Sequence, residues 1–225
     1  MYKHVAKVKS VIEASGIKFT ELRSEKDFDY YMFEHQPKRR NPEKYGDVSG
    51  YSWAGAQSRW CSQLLKISII DKYIKSLGDV IQYVGIAADE TKRLERKITQ
   101  TGCRRYPLVE WGWTEDDCLN YCYSLGYDWD GLYKHFNRVS CWCCPLKSLD
   151  ELRNLRKYYP GLWQELMDMD NRTWRQYRAD YSVEELDKRF AFEEQRQEEG
   201  KSIRNREFFA ELKGVLCDGN NYIKH

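Results

Sequence analysis

Apolar residues recur at helical spacing from the first turn of the chain. Val5, Val8, Val11 and Ile12 share one face of residues 2–15, with lysines opposite, which predicts an amphipathic helix stopped by Gly16. Ile17-Lys18-Phe19-Thr20-Glu21-Leu22 then alternates with period two and predicts a strand. The aromatic-rich segment 27–35 predicts a short helix, and residues 36–42 a basic loop punctuated by Pro37 and Pro42. Gly50-Tyr51-Ser52-Trp53-Ala54-Gly55 reads as an exposed aromatic loop. It leads through Arg59-Trp60-Cys61 into a helix with Leu64, Leu65, Ile67, Ile70 and Ile74 as apolar positions, ended by Gly78.

Residues 80–86 are nearly all apolar, the pattern of a parallel strand buried on both faces. That run empties into a polar turn, 87–93, and ligand sites in open α/β sheets lie at such carboxyl ends of strands. Residues 106–111 read as a short extended segment. Thr114, Ser148 and Ser182, each followed three residues later by an acid, have the form of helix N-cap boxes. Cys118 and Cys122 fall on one face of the first of these helices, and helical pattern dominates from residue 148 onward.

Charge changes this picture little. Thirty-seven basic residues against 35 acidic ones give a net charge of +2, so no polyanionic partner is dictated. Locally, residues 36–45 carry four basic side chains and one acidic, a patch that suits nucleic acid. No run approaches 18 apolar residues and the first residues lack an apolar core, so neither a membrane span nor a secretory signal is expected. A cytoplasmic setting follows as the expectation, with cysteines as free thiols or metal ligands. The four histidines are dispersed and none is assigned a role.

The cysteines carry the chemistry. Seven of the eight lie between Cys61 and Cys144. In Cys141-x-x-Cys144-Pro145 the intervening residues can reverse the chain and set two thiolates on one metal, selecting zinc or an iron–sulfur cluster. Cys61 supplies a third ligand, and the fourth is Cys143, Cys103, Cys118 or Cys122, or an open position. Arg59 and Lys66 before one helix, and Lys92, Arg93 and Arg96 after the apolar run, are cations that could converge on phosphate or sulfate. Trp53 and Trp60 are candidates to stack on a base, or core aromatics.

The order Arg59-Trp60-Cys61…Lys66, Gly85-Ile86-Ala87-Ala88-Asp89-Glu90…Arg93, Tyr106-Pro107-Leu108-Val109-Glu110-Trp111…Thr114 and Cys141-x-x-Cys144-Pro145 resembles the phosphoadenosine phosphosulfate (PAPS) reductase family, of the adenine nucleotide alpha-hydrolase-like superfamily. The resemblance covers roughly residues 1–160. It implies an α/β fold with a Rossmann-like parallel sheet over residues 1–147, and a mainly helical extension over 148–225. It implies an adenine nucleotide or sulfonucleotide as ligand, reduction or transfer of sulfur as chemistry, and a thioredoxin-like electron donor. By position, Arg59, Lys66 and Arg93 would face phosphate and sulfate, with Asp89 and Glu90 completing the substrate-binding set. Cys61, Cys141 and Cys144 would hold a 4Fe–4S cluster, with zinc the alternative. Two differences stand out. The Ser-Gly-Gly-x-Asp-Ser phosphate loop is missing, as though the domain were N-terminally truncated, and Trp60 precedes Cys61 where the iron–sulfur reductases pair two cysteines. A metal-stabilised module binding nucleic acid or a complex of a sulfur-modification system is the alternative, as is a catalytically impaired homologue.

Overall fold

The computed structural model describes residues 2–39, 43, 46–96 and 103–217. The chain divides into two compact units that alternate along the sequence. Unit 1 comprises Met1–Arg23 and Ile67–Lys134, and unit 2 comprises Ser24–Lys66 and His135–His225.

Unit 1 contains helix α1 (Tyr2–Ala14), α2 (Ser68–Leu77), strand β1 (Gln82–Tyr83), α3 (Thr91–Leu94), β2 (Arg104–Arg105), α4 (Pro107–Glu110) and α5 (Glu115–Ser124). β1 and β2 are parallel, with Gln82 opposite Arg104 and Tyr83 opposite Arg105. Flanking bonds from the Gln82 amide to the Cys103 carbonyl (2.9 Å) and from Val84 to Arg105 (3.0 Å) complete the pairing. Among the described residues this two-stranded ladder is the whole sheet.

The Rossmann-like parallel sheet expected from the sequence is therefore not what the chain builds. A parallel strand repays an apolar run only when other strands flank it and helices cover both faces. Here Ile81 is 61% and Tyr83 71% exposed, and the run 80–86 pairs over two residues. Residues 17–22 form no ladder either, so the alternation there does not make a strand. Residues 106–111 are not extended: Pro107 occupies the first position of α4, where its fixed φ favours a helix and its missing N–H costs nothing. The capping box of α5 does form. Asp117 N donates to the Thr114 hydroxyl (3.1 Å), and Thr114 N donates back to the Asp117 carboxylate (3.0 Å). Lys7 of α1 donates to the Gly126 carbonyl just beyond α5 (2.9 Å) and lies over the Tyr127 ring.

Unit 2 is helical. Beyond a π-helical turn at Tyr30–Glu34, the turn Trp60–Ser62 and most of the turn Gln63–Ile67, whose last residue belongs to unit 1, it holds α6 (Leu149–Tyr158), α7 (Pro160–Arg172), α8 (Val183–Glu198) and α9 (Arg206–Cys217). α6 packs on α7, α7 on α8, and α8 on α9. Leu152, Leu155, Trp163, Leu166, Val183, Leu186, Phe190, Phe208 and Leu212 form the core. Burial of that apolar surface is the main source of its stability. Ser148 and Ser182 cap α6 and α8 through reciprocal bonds with Glu151 and Glu185.

Charged groups line the seams between these helices. Arg153 of α6 and Arg189 of α8 both grip buried Glu193, at 2.6 and 2.8 Å. Burial alone would push the Glu193 carboxyl up, but the two guanidinium groups outweigh it and hold the carboxyl below its ordinary range. Arg156 reaches Asp187 and Glu194, and buried Arg196 of α8 reaches Glu207 and Glu211 of α9.

The segment 50–55 is not exposed. Ser52 and Trp53 are buried, and Trp53 Nε1 donates to Asp170 (2.9 Å), whose other oxygen accepts from Val183 N at the start of α8 (2.9 Å). Gly50 makes this close approach feasible. It has φ +72°, and a Cβ there would stand 1.9 Å from the Met32 carbonyl oxygen. Among the described residues no helix is long and apolar enough to cross a membrane.

Candidate metal centre

Two pieces of unit 2 far apart in sequence supply the thiols. Cys61 sits in the single turn Trp60–Ser62, which follows the buried segment 50–55. Trp60 fixes that turn: its Nε1 donates to the Ser52 carbonyl (2.9 Å), and its ring stacks on Phe28 and Tyr51. Trp53 and Trp60 are therefore core aromatics, and Trp60 anchors Cys61 rather than substituting for a ligand.

The other thiols come from the Cys-x-x-Cys turn. Cys144 N donates to the Cys141 carbonyl (3.2 Å), and Lys147 N donates to the Cys144 carbonyl (3.1 Å). These two consecutive reversals turn the short segment back on itself. Tyr177, 1% exposed, donates its hydroxyl to the same Cys144 carbonyl (2.8 Å), and its ring meets Trp53 edge to face. Arg178 donates to the Pro145 and Lys147 carbonyls (3.2 and 2.8 Å). The loop is thus held from outside by a phenol and a guanidinium.

The electrostatics reveal how closely the thiols gather. Burial pushes the Cys61 thiol up, and Cys141 and Cys144 push it further, against opposing bonds to Ser62. Burial raises Cys143 to about 12, with Cys141, Cys144 and Cys61 adding to the effect. Neighbouring thiols thus disfavour the thiolate at Cys61 and at Cys143, a cost that a bound cation would offset. Burial, then Cys143 and Cys144, likewise hold the Tyr177 phenol well above its usual range, which keeps its proton available for the Cys144 carbonyl. Lys147 is buried beside the loop, donating to Ser140 (2.8 Å) and lying 3.4 Å from Glu151. Lys147 is paired with Glu151 and Arg178 with Asp180 (2.8 Å), so each cation beside the loop has its own carboxylate.

The donor set fits a soft or borderline metal. Zinc and an iron–sulfur cluster both meet that requirement.

The remaining residues singled out by the sequence fall in both units. Arg59 and Lys66 are exposed in unit 2, where the Arg59 carbonyl accepts from Ser62 and Gln63 at the start of the Cys61 turn (both 3.1 Å). Asp89, Glu90 and Arg93 belong to unit 1 and take part in local structure. Asp89 accepts from Glu115 N (3.1 Å), and Glu90 accepts from Ala87 N and pairs with Arg93 (2.5 Å). Cys103, Cys118 and Cys122 also belong to unit 1. There burial raises the Cys118 thiol, and Cys122 adds to the shift. Of the basic patch 36–45, residues 40–42, 44 and 45 lie outside the described residues. Sequence reasoning missed Tyr177, Lys147 and Arg178. Lys147 stands next to the motif and could have been suspected; nothing in the pattern around Tyr177 or Arg178 announces their role.

No protein-family model matches the chain, and no solved structure matches it. It is similar to two uncharacterized proteins of Methanocaldococcus jannaschii. MJ0066 is 24% identical over 160 residues, 67% of this chain and 33% of that protein. MJ0973 is 26% identical over 119 residues, 49% of this chain and 28% of that protein. The chain thus spans about a third or less of the length of these relatives.

Proposed function

We propose that unit 2 holds a 4Fe–4S cluster on Cys61, Cys141, Cys143 and Cys144, and that the chain serves sulfonucleotide reduction or sulfur transfer. One observation carries the cluster reading. Cys61 and the 141–144 turn, about 80 residues apart in sequence, come close enough for their thiolates to repel one another, and the motif order favours a cluster over zinc. Among the candidate fourth ligands, Cys143 is the one that joins this group within unit 2.

The order of motifs supports the substrate class, an adenine sulfonucleotide, with exposed cations at Arg59, just before the turn that carries Cys61, and at Lys66, in the turn after it. When bound, a cluster would supply electron-transfer or Lewis-acid chemistry at one of its irons. The chain's own part is to hold the thiols and to brace their loop through the Cys144, Pro145 and Lys147 carbonyls.

The test is anaerobic purification with iron, sulfide and zinc analysis. The expected result is about four iron and four sulfide per chain with broad visible absorption, lost in Cys61→Ser and Cys144→Ser. One zinc without sulfide, or no metal at all, overturns the cluster reading. Adenylyl-sulfate binding by the loaded protein, with sulfite release when a dithiol donor is added, tests the substrate class. Failure of both with an intact cluster overturns that part alone.

A further inference from the structure

We propose that His4, Asp128 and Asp130 of unit 1 form a second metal site, for a divalent first-row transition ion. His4 lies in the first turn of α1, and the two aspartates lie in the loop that follows α5. One imidazole nitrogen and one oxygen of each carboxylate all fall within 4.8 Å of one another. His4 Nε2 is 3.5 Å from the nearer Asp130 oxygen.

The independent pointer to a ligand is that nitrogen. His4 Nε2 is shielded from solvent and makes no hydrogen bond, although its side chain lies against two acids. A buried polar atom left without a hydrogen bond is destabilising. Two carboxylates brought this close also repel each other. A bound cation relieves both at once.

The backbone explains how the donors meet. Trp129, Asp130 and Gly131 all have left-handed φ (51°, 54° and 74°), and Asp130 N donates to Asp128 Oδ1 (3.1 Å). The two carboxylates on either side of Trp129 both come within reach of the His4 imidazole. Lys7, one turn further along α1, anchors the helix to Gly126.

The donor chemistry selects the ion. One imidazole and two carboxylates suit Mn²⁺, Fe²⁺, Co²⁺ or Zn²⁺, whereas Ca²⁺ and Mg²⁺ prefer all-oxygen shells. Asp128 and Asp130 are exposed, so water can complete the coordination on the solvent side. The site is harder than the cysteine set and takes its residues from the other unit, so the two proposals stand independently.

Mn²⁺ is the probe of choice, because thiolates bind it weakly. Titration of the full chain, followed by the EPR signal of free Mn²⁺, is expected to show saturable binding of one ion. Pulsed EPR of the complex is expected to show coupling to an imidazole nitrogen. His4→Gln should remove that coupling, and His4→Gln, Asp128→Asn and Asp130→Asn should each weaken binding at least about tenfold with unchanged circular dichroism. The two aspartates are exposed, so their variants keep the test open should His4→Gln fail to fold. Cys61→Ser with Cys144→Ser should leave Mn²⁺ binding intact, which separates this site from the cysteine centre. Absence of saturable binding, or binding that these substitutions do not weaken, overturns the proposal and leaves a His4–Asp130 ion pair.

Discussion

Replacing Tyr177 by Phe tests how the cysteine loop is held. The substitution removes one oxygen and keeps the ring, so the edge-to-face contact with Trp53 survives. What is lost is the 2.8 Å bond to the Cys144 carbonyl, in a position 1% exposed. That carbonyl keeps the Lys147 amide at 3.1 Å, so it is weakened as an acceptor and not orphaned. The loss is therefore that of one buried neutral hydrogen bond, about 1–1.5 kcal/mol. Tyr177→Leu also removes the ring and should cost about 3 kcal/mol or more, through the cavity it leaves. Urea unfolding of the metal-free protein, followed by tryptophan fluorescence, measures both. The metal-loaded Phe variant should also release its metal to a chelator faster than wild type, because the loop that presents Cys141 and Cys144 is less tightly held. Equal stability of Tyr177→Phe and wild type would refute the argument, since the phenol would then not be supporting the loop. So would equal losses for Phe and Leu, which would place the whole effect in the hydroxyl.

Other outcomes follow from the same structure. Because Arg153 and Arg189 depress the Glu193 carboxyl in the folded state, its contribution is complete above the unfolded value of about 4.3. It is lost as pH falls through the lower folded value. Glu193→Gln should therefore lower stability at neutral pH and flatten the acid limb of a stability–pH profile below about pH 4.3; an unchanged acid limb would count against the pairing. Leu166→Ala, fully buried in α7, should cost about 2–5 kcal/mol in chemical denaturation. Gly50→Ala forces a Cβ against the Met32 carbonyl at a left-handed φ and should cost about 2 kcal/mol or more, with loosened metal retention through the displaced Trp53 and Trp60 segment.

The elements that were legible in the sequence are those whose energy is contained in a few consecutive residues. The boxes at Thr114, Ser148 and Ser182 each close within four residues, and all three form. Helix α1 matches its expected span closely, yet Val5, Val8 and Val11 of its apolar stripe are exposed, because periodicity shows which face could be buried and not whether anything covers it. The run 80–86 failed as a buried strand for the same reason: its apolar side chains specify a preference, but only neighbouring strands and covering helices can satisfy it. The segment 50–55 failed in the opposite sense. Glycine and aromatic residues looked like a surface loop until Asp170, more than a hundred positions away, accepted the Trp53 N–H and drew the segment inside.

The candidate metal centre divides along the same line. By itself the sequence determined the Cys141–Cys144 turn, since an i to i+3 hydrogen bond needs no partner beyond its own residues. It also determined the chemical softness of the donors. Only tertiary structure decided that Cys61 and Cys143 share a unit with that turn, near enough for its thiols to raise theirs, and that Tyr177 and Arg178 hold the loop. The same holds for His4 beside Asp128 and Asp130, residues more than 120 positions apart. Such meetings depend on the summed packing of the segments that carry the side chains, and no local pattern encodes that sum.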